Sequence, residues 1–259
     1  MPQPINPNDE VELGARRRLN VTLADAIAVI IAFFWETRNG GPASGANPFK
    51  FAGHSYDFVL RGYHDPIVAG VYASTGLNSE LGSTEMLSIL AANDAGLIPH
   101  LDDSVAFWDM DVNKIISDPN DNSPEGLLWS FYKAFMGEKV NGVKTGGIAR
   151  VGPAGYSKTA AHAWPKQMPL VDSQVLKFWT GNAVWPEMYK ALNDNRAWFD
   201  ELERLVEVYR TQHQSSDGVQ IWRLRCLDVL IWVAATGQWD ATLKAGEELL
   251  ADCPPLPIW

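Results

Sequence analysis

The sequence predicts a mainly α-helical protein with nine or ten helices. Two observations predict this class: apolar residues recur at helical spacing through most of the chain, and connectors rich in Asp, Asn, Pro and Gly separate the resulting segments. Strand patterns are few, so we expect at most a small β element near residues 47–65. The chain contains no internal repeat or low-complexity segment that would suggest another architecture.

Capping residues and helix breakers define the individual elements. Thr22 is a suitable N-cap for a helix over 23–36, and Asn39-Gly40-Gly41 is a stop signal beyond its end. Apolar periodicity predicts further helices over about 83–93, 104–116, 124–136, 157–164, 173–180, 184–193, 197–214, 217–236 and 239–251.

The charge pattern limits how the protein could contact nucleic acid. The formal net charge is −10, which argues against a broad basic surface. Residues 133–177 carry seven Lys/Arg and two acids, whereas residues 94–125 carry eight Asp/Glu and one Lys. We therefore expect any polyanion contact on the 133–177 segment. The Arg16-Arg17-Arg18 run lies in a polar N-terminal stretch that we expect to be solvated, with a phosphate contact as the alternative.

Composition excludes several classes of protein. With 46% hydrophobic residues, the chain can form one large core or two smaller lobes. No apolar run reaches about 18 residues, so we expect a cytoplasmic protein without a membrane span. The two cysteines, Cys226 and Cys253, cannot form a four-thiolate zinc or iron–sulfur site by themselves, and we expect no metal and no other cofactor. Cys226 fits an apolar helix as a core residue.

A polar and aromatic cluster lies in the irregular segment 40–78. The stretch HSYDFVLRGYHDP, residues 54–66, combines His, Tyr, Asp and Arg side chains within a few positions. Such clusters on loops are frequent in binding sites. The alternative is that the same residues only fix the conformation of a long loop. If the cluster forms a pocket, its candidate residues are Tyr56, Asp57 and His64.

The segment with the most candidate functional residues is 146–175, GGIARVGPAGYSKTAAHAWPKQMPLVDSQV. Gly152 and Gly155 flank a Pro-Ala pair, and such a turn can expose successive backbone N–H groups to an anion. A short helix then carries Lys158 and must end at the next proline. An extended apolar run leads to Asp172, which precedes another predicted helix. Asp172 is therefore either an N-cap or a catalytic carboxylate held at the mouth of a helix.

The stretches VGPAGYSKTA and MPLVDSQV resemble the helix-hairpin-helix superfamily of base-excision DNA glycosylases. In that family a glycine hairpin and a lysine-bearing helix are followed by an apolar run that ends in Val-Asp. By this resemblance Lys158 matches the family's lysine, and Asp172 matches its catalytic aspartate. The residues that the resemblance places at the DNA backbone are Gly152, Gly155, Tyr156 and Ser157.

The resemblance implies an architecture and a reaction. The architecture is a two-lobed helical bundle with a helix-hairpin-helix element and a central cleft, in which residues 1–259 form one glycosylase-like unit. One lobe spans about 80–180, and the other combines 20–78 with 181–259. The reaction is cleavage of the N-glycosidic bond of a damaged or modified base that has flipped out of double-stranded DNA. The pocket for that base would include Tyr56, Asp57 and His64.

The chemistry of this reaction explains the residue types. Cleavage builds positive charge on the deoxyribose ring, and a fixed carboxylate stabilises that charge and activates the attacking water. A helix N-terminus favours the ionised form of such a carboxylate. In family members with a lysine in the pocket, the amine attacks the sugar and forms an imine. We expect a monofunctional, monomeric enzyme, similar to divergent bacterial members, without an iron–sulfur cluster.

Two other interpretations fit the same residues. A catalytically inert helix-hairpin-helix relative would bind DNA or a protein partner, with the acidic segment 94–125 as the interaction face. An unrelated helical protein would use Asp172 only as a cap. For an enzyme, both DNA repair and the removal of modified bases from phage DNA fit the motif.

Overall fold

The computed structural model shows a mainly helical protein. Nine α-helices and two antiparallel β-hairpins lie in the part that the structure describes, which confirms the predicted fold class. The β element predicted near 47–65 lies outside this part apart from Asp65, and so do Tyr56, Asp57 and His64. The described residues are 5–35, 65–76, 82–101, 104–111, 124–140, 143–148, 151–180, 184–212 and 220–251.

The helices occur in the predicted order, together with two short 3-10 helices, Phe107–Asp109 and Val175–Lys177. None of the helices in the described ranges combines the length and the hydropathy that a bilayer-spanning segment needs. The helices are α1 Leu23–Trp35, α2 Pro66–Gly76, α3 Ser83–Asp94, α4 Pro124–Met136, α5 Pro153–Ala163, α6 Val184–Asp194, α7 Arg196–Gln212, α8 Arg223–Ala235 and α9 Trp239–Ala251.

Three predicted segments differ from the structure. Helix α2 lies in a segment that we expect from the sequence to be irregular, because its Gly and Ala residues weaken the apolar pattern. In the described part of the helix predicted over 104–116, the structure has only the 3-10 helix Phe107–Asp109. The helix predicted over 173–180 is also reduced to a single 3-10 turn.

Two β-hairpins lie in segments that the sequence does not identify as strands. Strand β1, Glu10–Leu13, pairs with β2, Leu19–Thr22, and Leu13 lies opposite Leu19 in this antiparallel register. Strands β3, Glu138–Val140, and β4, Val143–Thr145, form the second hairpin. Leu13 is fully buried, so this hairpin contributes to the core, whereas Arg16, Arg17 and Arg18 are exposed, as predicted. Strands of three or four residues offer too few alternating positions to be recognised by period.

Contacts divide the chain into two compact units. The first unit combines Met1–His54 with Gln174–Trp259, and the second unit is Ser55–Ser173. The sequence suggests lobe boundaries near residues 80 and 180 instead. The observed division therefore groups helix α2 with the helix that carries Lys158.

Helix α1 is the centre of the first unit. It packs against α7, α8 and α9, and every residue from Ala26 to Phe34 is buried. A helix that is apolar on all sides is typical of a core position. The approach of α9 is closest at Gly246, where an added Cβ would overlap the carbonyl oxygen of Ala28. Only glycine therefore fits this crossing of α1 and α9 without a shift of one helix.

Helix α8 places a buried ion pair in the first unit. Arg225 pairs with Asp228, and their side chains are only 13% and 2% exposed. The Arg225 guanidinium also lies over the rings of Phe33 and Phe34, with its carbon 5.3 and 5.6 Å from their centroids. A guanidinium over an aromatic face is attracted by the ring's negative face. These contacts compensate the loss of hydration of Arg225.

A second buried ion pair joins α8 to α7. Arg223 pairs with Asp200 and Glu203, and its Nη2 donates to Oε2 of Glu203 at 2.8 Å. Burial raises the pKa of Glu203, although the charge of Arg223 acts in the opposite direction. Cys226 is buried nearby, as predicted, and burial together with the charge of Glu203 raises the pKa of its thiol well above the usual value.

The buried pair on α8 gives a test of the first unit's core. We expect Asp228→Asn to lower the free energy of unfolding by about 3 kcal/mol, because it leaves the Arg225 charge buried without its carboxylate. Urea unfolding followed by circular dichroism measures this. The matched control is Glu201→Gln, whose carboxylate pairs with Arg204 at the surface at 2.6 Å. It should cost less than about 1 kcal/mol, and equal costs for the two variants would contradict the account.

Candidate active site

The glycines at 152–155 begin a helix instead of forming a hairpin turn. Gly152 is the N-cap of α5, with φ −88° and ψ 174°, and Gly155 lies inside the first turn. Pro153 occupies the first helical position, where a fixed φ near −65° and a missing N–H favour the helix. The turn predicted at Gly152–Gly155 is therefore wrong, and α5 begins four residues earlier than predicted.

A β-hairpin connects α4 to α5. Strands β3 and β4 lie between the two helices, and the glycines with positive φ are Gly137, Gly146 and Gly147. Gly137 and Gly147 approach closely, since an added Cβ on Gly147 would lie 2.6 Å from the Gly137 nitrogen. The short glycine turn that the family resemblance implies is not the connection between α4 and α5 in the residues that are described here.

Helix α5 packs closely against α2 in the second unit. At Gly70 of α2, an added Cβ would overlap the carbonyl oxygen of Thr159, and Thr159 is fully buried. The same helix buries Lys158, which is 8% exposed, and His162, which is 5% exposed. Neither Lys158 nor His162 is a solvated helix residue, because α5 is covered by α2 and α4.

A hydrogen bond connects α5 to the segment that precedes Asp172. The Ser157 hydroxyl donates to the carbonyl oxygen of Val171 at 2.7 Å. Ser157 is the residue before Lys158, and Val171 is the residue before Asp172. The bond therefore holds the backbone of the two candidate catalytic residues on adjacent segments of the second unit. Asp172 itself is half-buried, so part of this residue is exposed to solvent.

The apolar run between α5 and Asp172 forms neither helix nor strand, and a turn over residues 165–167 begins it. Met168 and Leu170 are buried. The side-chain amide of Gln167 donates to the Val105 carbonyl at 2.7 Å, and the Phe107 N–H donates to the Lys166 carbonyl at 2.9 Å. Sequence reasoning missed Gln167, although a polar residue within an otherwise apolar run is a recognisable sign of a buried hydrogen bond.

The segment after Asp172 forms only a 3-10 turn, Val175–Lys177. The N–H groups of Lys177 and Phe178 donate three residues back instead of four, as in a 3-10 helix. The prediction of a full helix over 173–180 is therefore wrong. The Phe178 carbonyl accepts N–H groups from Ala15, Arg16 and Arg17, in the turn between β1 and β2, and these bonds fix the end of the segment.

Tyr156 belongs to the aromatic core of the second unit. Its ring lies 5.8 Å from Phe131, 5.4 Å from Tyr132 and 5.5 Å from Phe135, centroid to centroid. Burial raises the pKa of Tyr156 well above the usual value, and Tyr132 adds to the shift. Trp164 packs on Phe131, with ring centroids 5.0 Å apart, and is a core residue.

The four residues that the resemblance places at the DNA backbone differ in exposure. The side chains of Tyr156 and Ser157 are 4% and 2% exposed, so neither offers a surface to DNA. Gly155 is buried in the first turn of α5, whereas Gly152 is exposed and has open space around it. A DNA contact at this point would therefore involve the backbone at Gly152 and the first N–H groups of α5.

Known proteins provide no independent assignment of the site. Searches against protein families, curated proteins and solved structures gave no match. Within the described ranges, no group of three or more His, Cys, Asp and Glu side chains is arranged to hold a metal ion. The case for the site therefore comes from its residues and their contacts.

The hydrogen bond between Ser157 and Val171 can be tested by mutation. We expect Ser157→Ala to lower the free energy of unfolding by about 1–2 kcal/mol, because it removes a buried donor. The control is Ser88→Ala on α3, whose hydroxyl donates to the Thr84 carbonyl at 2.8 Å in an exposed position. The control should change stability by less than about 0.5 kcal/mol. If urea unfolding shows no difference between the two variants, the bond does not hold the segment.

Proposed function

We propose that the protein is a monofunctional DNA glycosylase that removes a damaged or modified base from double-stranded DNA. The observation that carries the proposal is the hydrogen bond from Ser157 to the Val171 carbonyl. This bond joins helix α5, which carries the buried Lys158, to Val171, the residue before the half-buried Asp172. The order of these groups also resembles the one in helix-hairpin-helix glycosylases.

In this proposal Asp172 is the catalytic carboxylate. The departing base leaves positive charge on the deoxyribose ring, and a fixed carboxylate beside the ring stabilises that charge. The same carboxylate can accept a proton from the attacking water. Asp172 meets two requirements of this role, since it follows an anchored segment and is only partly buried. An anchored backbone reduces the entropy that is lost when the carboxylate is positioned.

Lys158 has a supporting catalytic role in this proposal. It is 8% exposed, so its charge is largely removed from bulk water, and a buried ammonium requires anionic or dipolar partners. A lysine held in this way stabilises the negative charge of a nearby carboxylate or phosphate. Attack of the Lys158 amine on the sugar, with imine formation, is the alternative that would make the enzyme bifunctional.

In this proposal the N-terminus of α5 binds a phosphate of the DNA backbone. Gly152 has no side chain that could cap the first N–H groups, and it is exposed. Uncapped N–H groups and the positive end of the helix dipole favour an anion such as a phosphate. A contact of this kind depends on backbone groups, which suits a protein with a net charge of −10.

A second function has specific support. The β-hairpin between α4 and α5 replaces the short turn that glycosylases of this superfamily use to hold DNA, which favours a catalytically inert relative. Such a protein would bind DNA or a protein partner without cleaving a glycosidic bond. An excision assay separates the two functions.

The excision assay uses duplexes that carry a panel of damaged and modified bases. Alkali converts each abasic site to a strand break, which a gel detects. We expect breaks on at least one duplex, and a single-turnover rate that falls at least about 100-fold in Asp172→Asn, because the variant lacks the negative charge that stabilises the transition state. Ser173→Ala, in the adjacent exposed position, is the control and should retain the rate.

Three other outcomes would contradict parts of the proposal. Binding of DNA without product on any duplex would favour the inert relative. An excision rate that is unchanged in Asp172→Asn would remove Asp172 from catalysis. A covalent adduct that borohydride traps, and that Lys158→Ala abolishes, would replace the monofunctional water mechanism with the imine route. The identity of the cleaved base would separate DNA repair from defence against modified phage DNA.

A further inference from the structure

The turn between β1 and β2 is unusually well fixed. The N–H groups of Ala15, Arg16 and Arg17 donate to the single carbonyl of Phe178, at 2.9, 2.9 and 3.4 Å. Gly14 has φ +91°, and an added Cβ would overlap the Arg17 carbonyl oxygen and lie 3.1 Å from the Phe178 ring. The backbone of this turn is therefore held by long-range contacts, although all of its residues from 15 to 18 are exposed.

The two arginines at the tip of this turn differ from other arginines of the first unit. Within the described part of the chain, neither Arg16 nor Arg17 forms an ion pair with a carboxylate, whereas Arg18 pairs with Glu12 at 3.0 Å. Carboxylate partners are also found for Arg204, Arg210, Arg223 and Arg225. Two adjacent guanidinium groups thus remain available to an external anion, in a protein that carries a net charge of −10.

The turn contacts Phe178, which follows the proposed catalytic residue in the sequence. Phe178 follows Asp172 by six residues, and the intervening segment contains the 3-10 helix Val175–Lys177. The contacts of Ala15, Arg16 and Arg17 with Phe178 fix the end of this segment. The turn therefore fixes its backbone on Phe178 and carries two guanidinium groups that pair with no carboxylate among the described residues.

We propose that Arg16 and Arg17 bind phosphates of the DNA backbone. This inference rests on the proposed function for the identity of the polyanion. A guanidinium donates two parallel N–H groups to phosphate oxygens, and it keeps its charge at all physiological pH values. Because the backbone of the turn is already fixed, binding orders only the two side chains. The contact reads no sequence, so it serves any base that the enzyme removes.

The test is the salt dependence of binding to an unmodified duplex of about 20 base pairs, measured by fluorescence anisotropy. The double variant Arg16→Gln/Arg17→Gln should weaken binding about tenfold at low salt, and the slope of log K against log salt should fall by about 1.8, which corresponds to two phosphates.

The control is Lys190→Gln/Lys244→Gln, which removes the same charge from α6 and α9. Both lysines are exposed, at 73% and 78% of their side-chain surface. We expect the control to change the slope by less than about 0.5, since it removes no phosphate contact. Thermal melting of each variant verifies that the fold is intact, and the exposed arginine side chains predict an unchanged melting temperature.

The outcomes separate this inference from the proposed function. A reduced slope in the arginine variant supports the inference even if no duplex in the base panel is cleaved. Cleavage of a modified base together with an unchanged slope overturns the inference and leaves the function intact. If polyglutamate of equal charge competes as well as duplex DNA, the turn binds an acidic protein partner and the inference is overturned. Failure of the parent protein to bind duplex DNA overturns both.

Discussion

The close approach of α2 and α5 at Gly70 determines the structure of the candidate site. The backbone of α2 reaches the Thr159 carbonyl because Gly70 has no Cβ, so α5 packs closely against α2. Lys158 and His162 lie on the same helix and are buried. A displacement of α5 would also move Ser157, whose hydroxyl holds the segment before Asp172. Backbone contact between two helices is thus the constraint on which the proposed chemistry depends.

The helices that the sequence predicts well are those with strong local signals. Helix α1 has a continuous apolar stretch and an N-cap, and the Thr22 hydroxyl accepts the Asp25 N–H at 3.1 Å as a cap should. Helices α7 and α9 likewise have clear apolar stripes with charged residues between them. The two β-hairpins are too short for a period-two pattern, and α2 is too rich in small residues for a helical stripe. Local signals therefore predict the class of the fold but miss its short elements.

The sequence predicts the order of the site's elements along the chain but not the contacts that these elements make. The sequence indicates a helix with Lys158, an extended apolar run and Asp172. In the structure α5 carries Lys158, and an apolar run without helix or strand leads to Asp172. The burial of Lys158 is not evident from the sequence, because α2, against which its helix packs, is not predicted. The helix expected after Asp172 is only the 3-10 turn Val175–Lys177. The burial of Lys158 depends on a contact between distant segments, which a local pattern does not contain.

The most direct test of this account is amide hydrogen exchange of Gly70→Ala. The added methyl group must push α2 away from the Thr159 carbonyl, so local opening of α5 should become easier. We expect protection of the amides from Ala160 to Ala163 to fall at least about tenfold, which corresponds to about 1.4 kcal/mol, while α1 and α9 in the first unit keep theirs. Unchanged protection in α5 would contradict the claim that contact with Gly70 holds this helix in place.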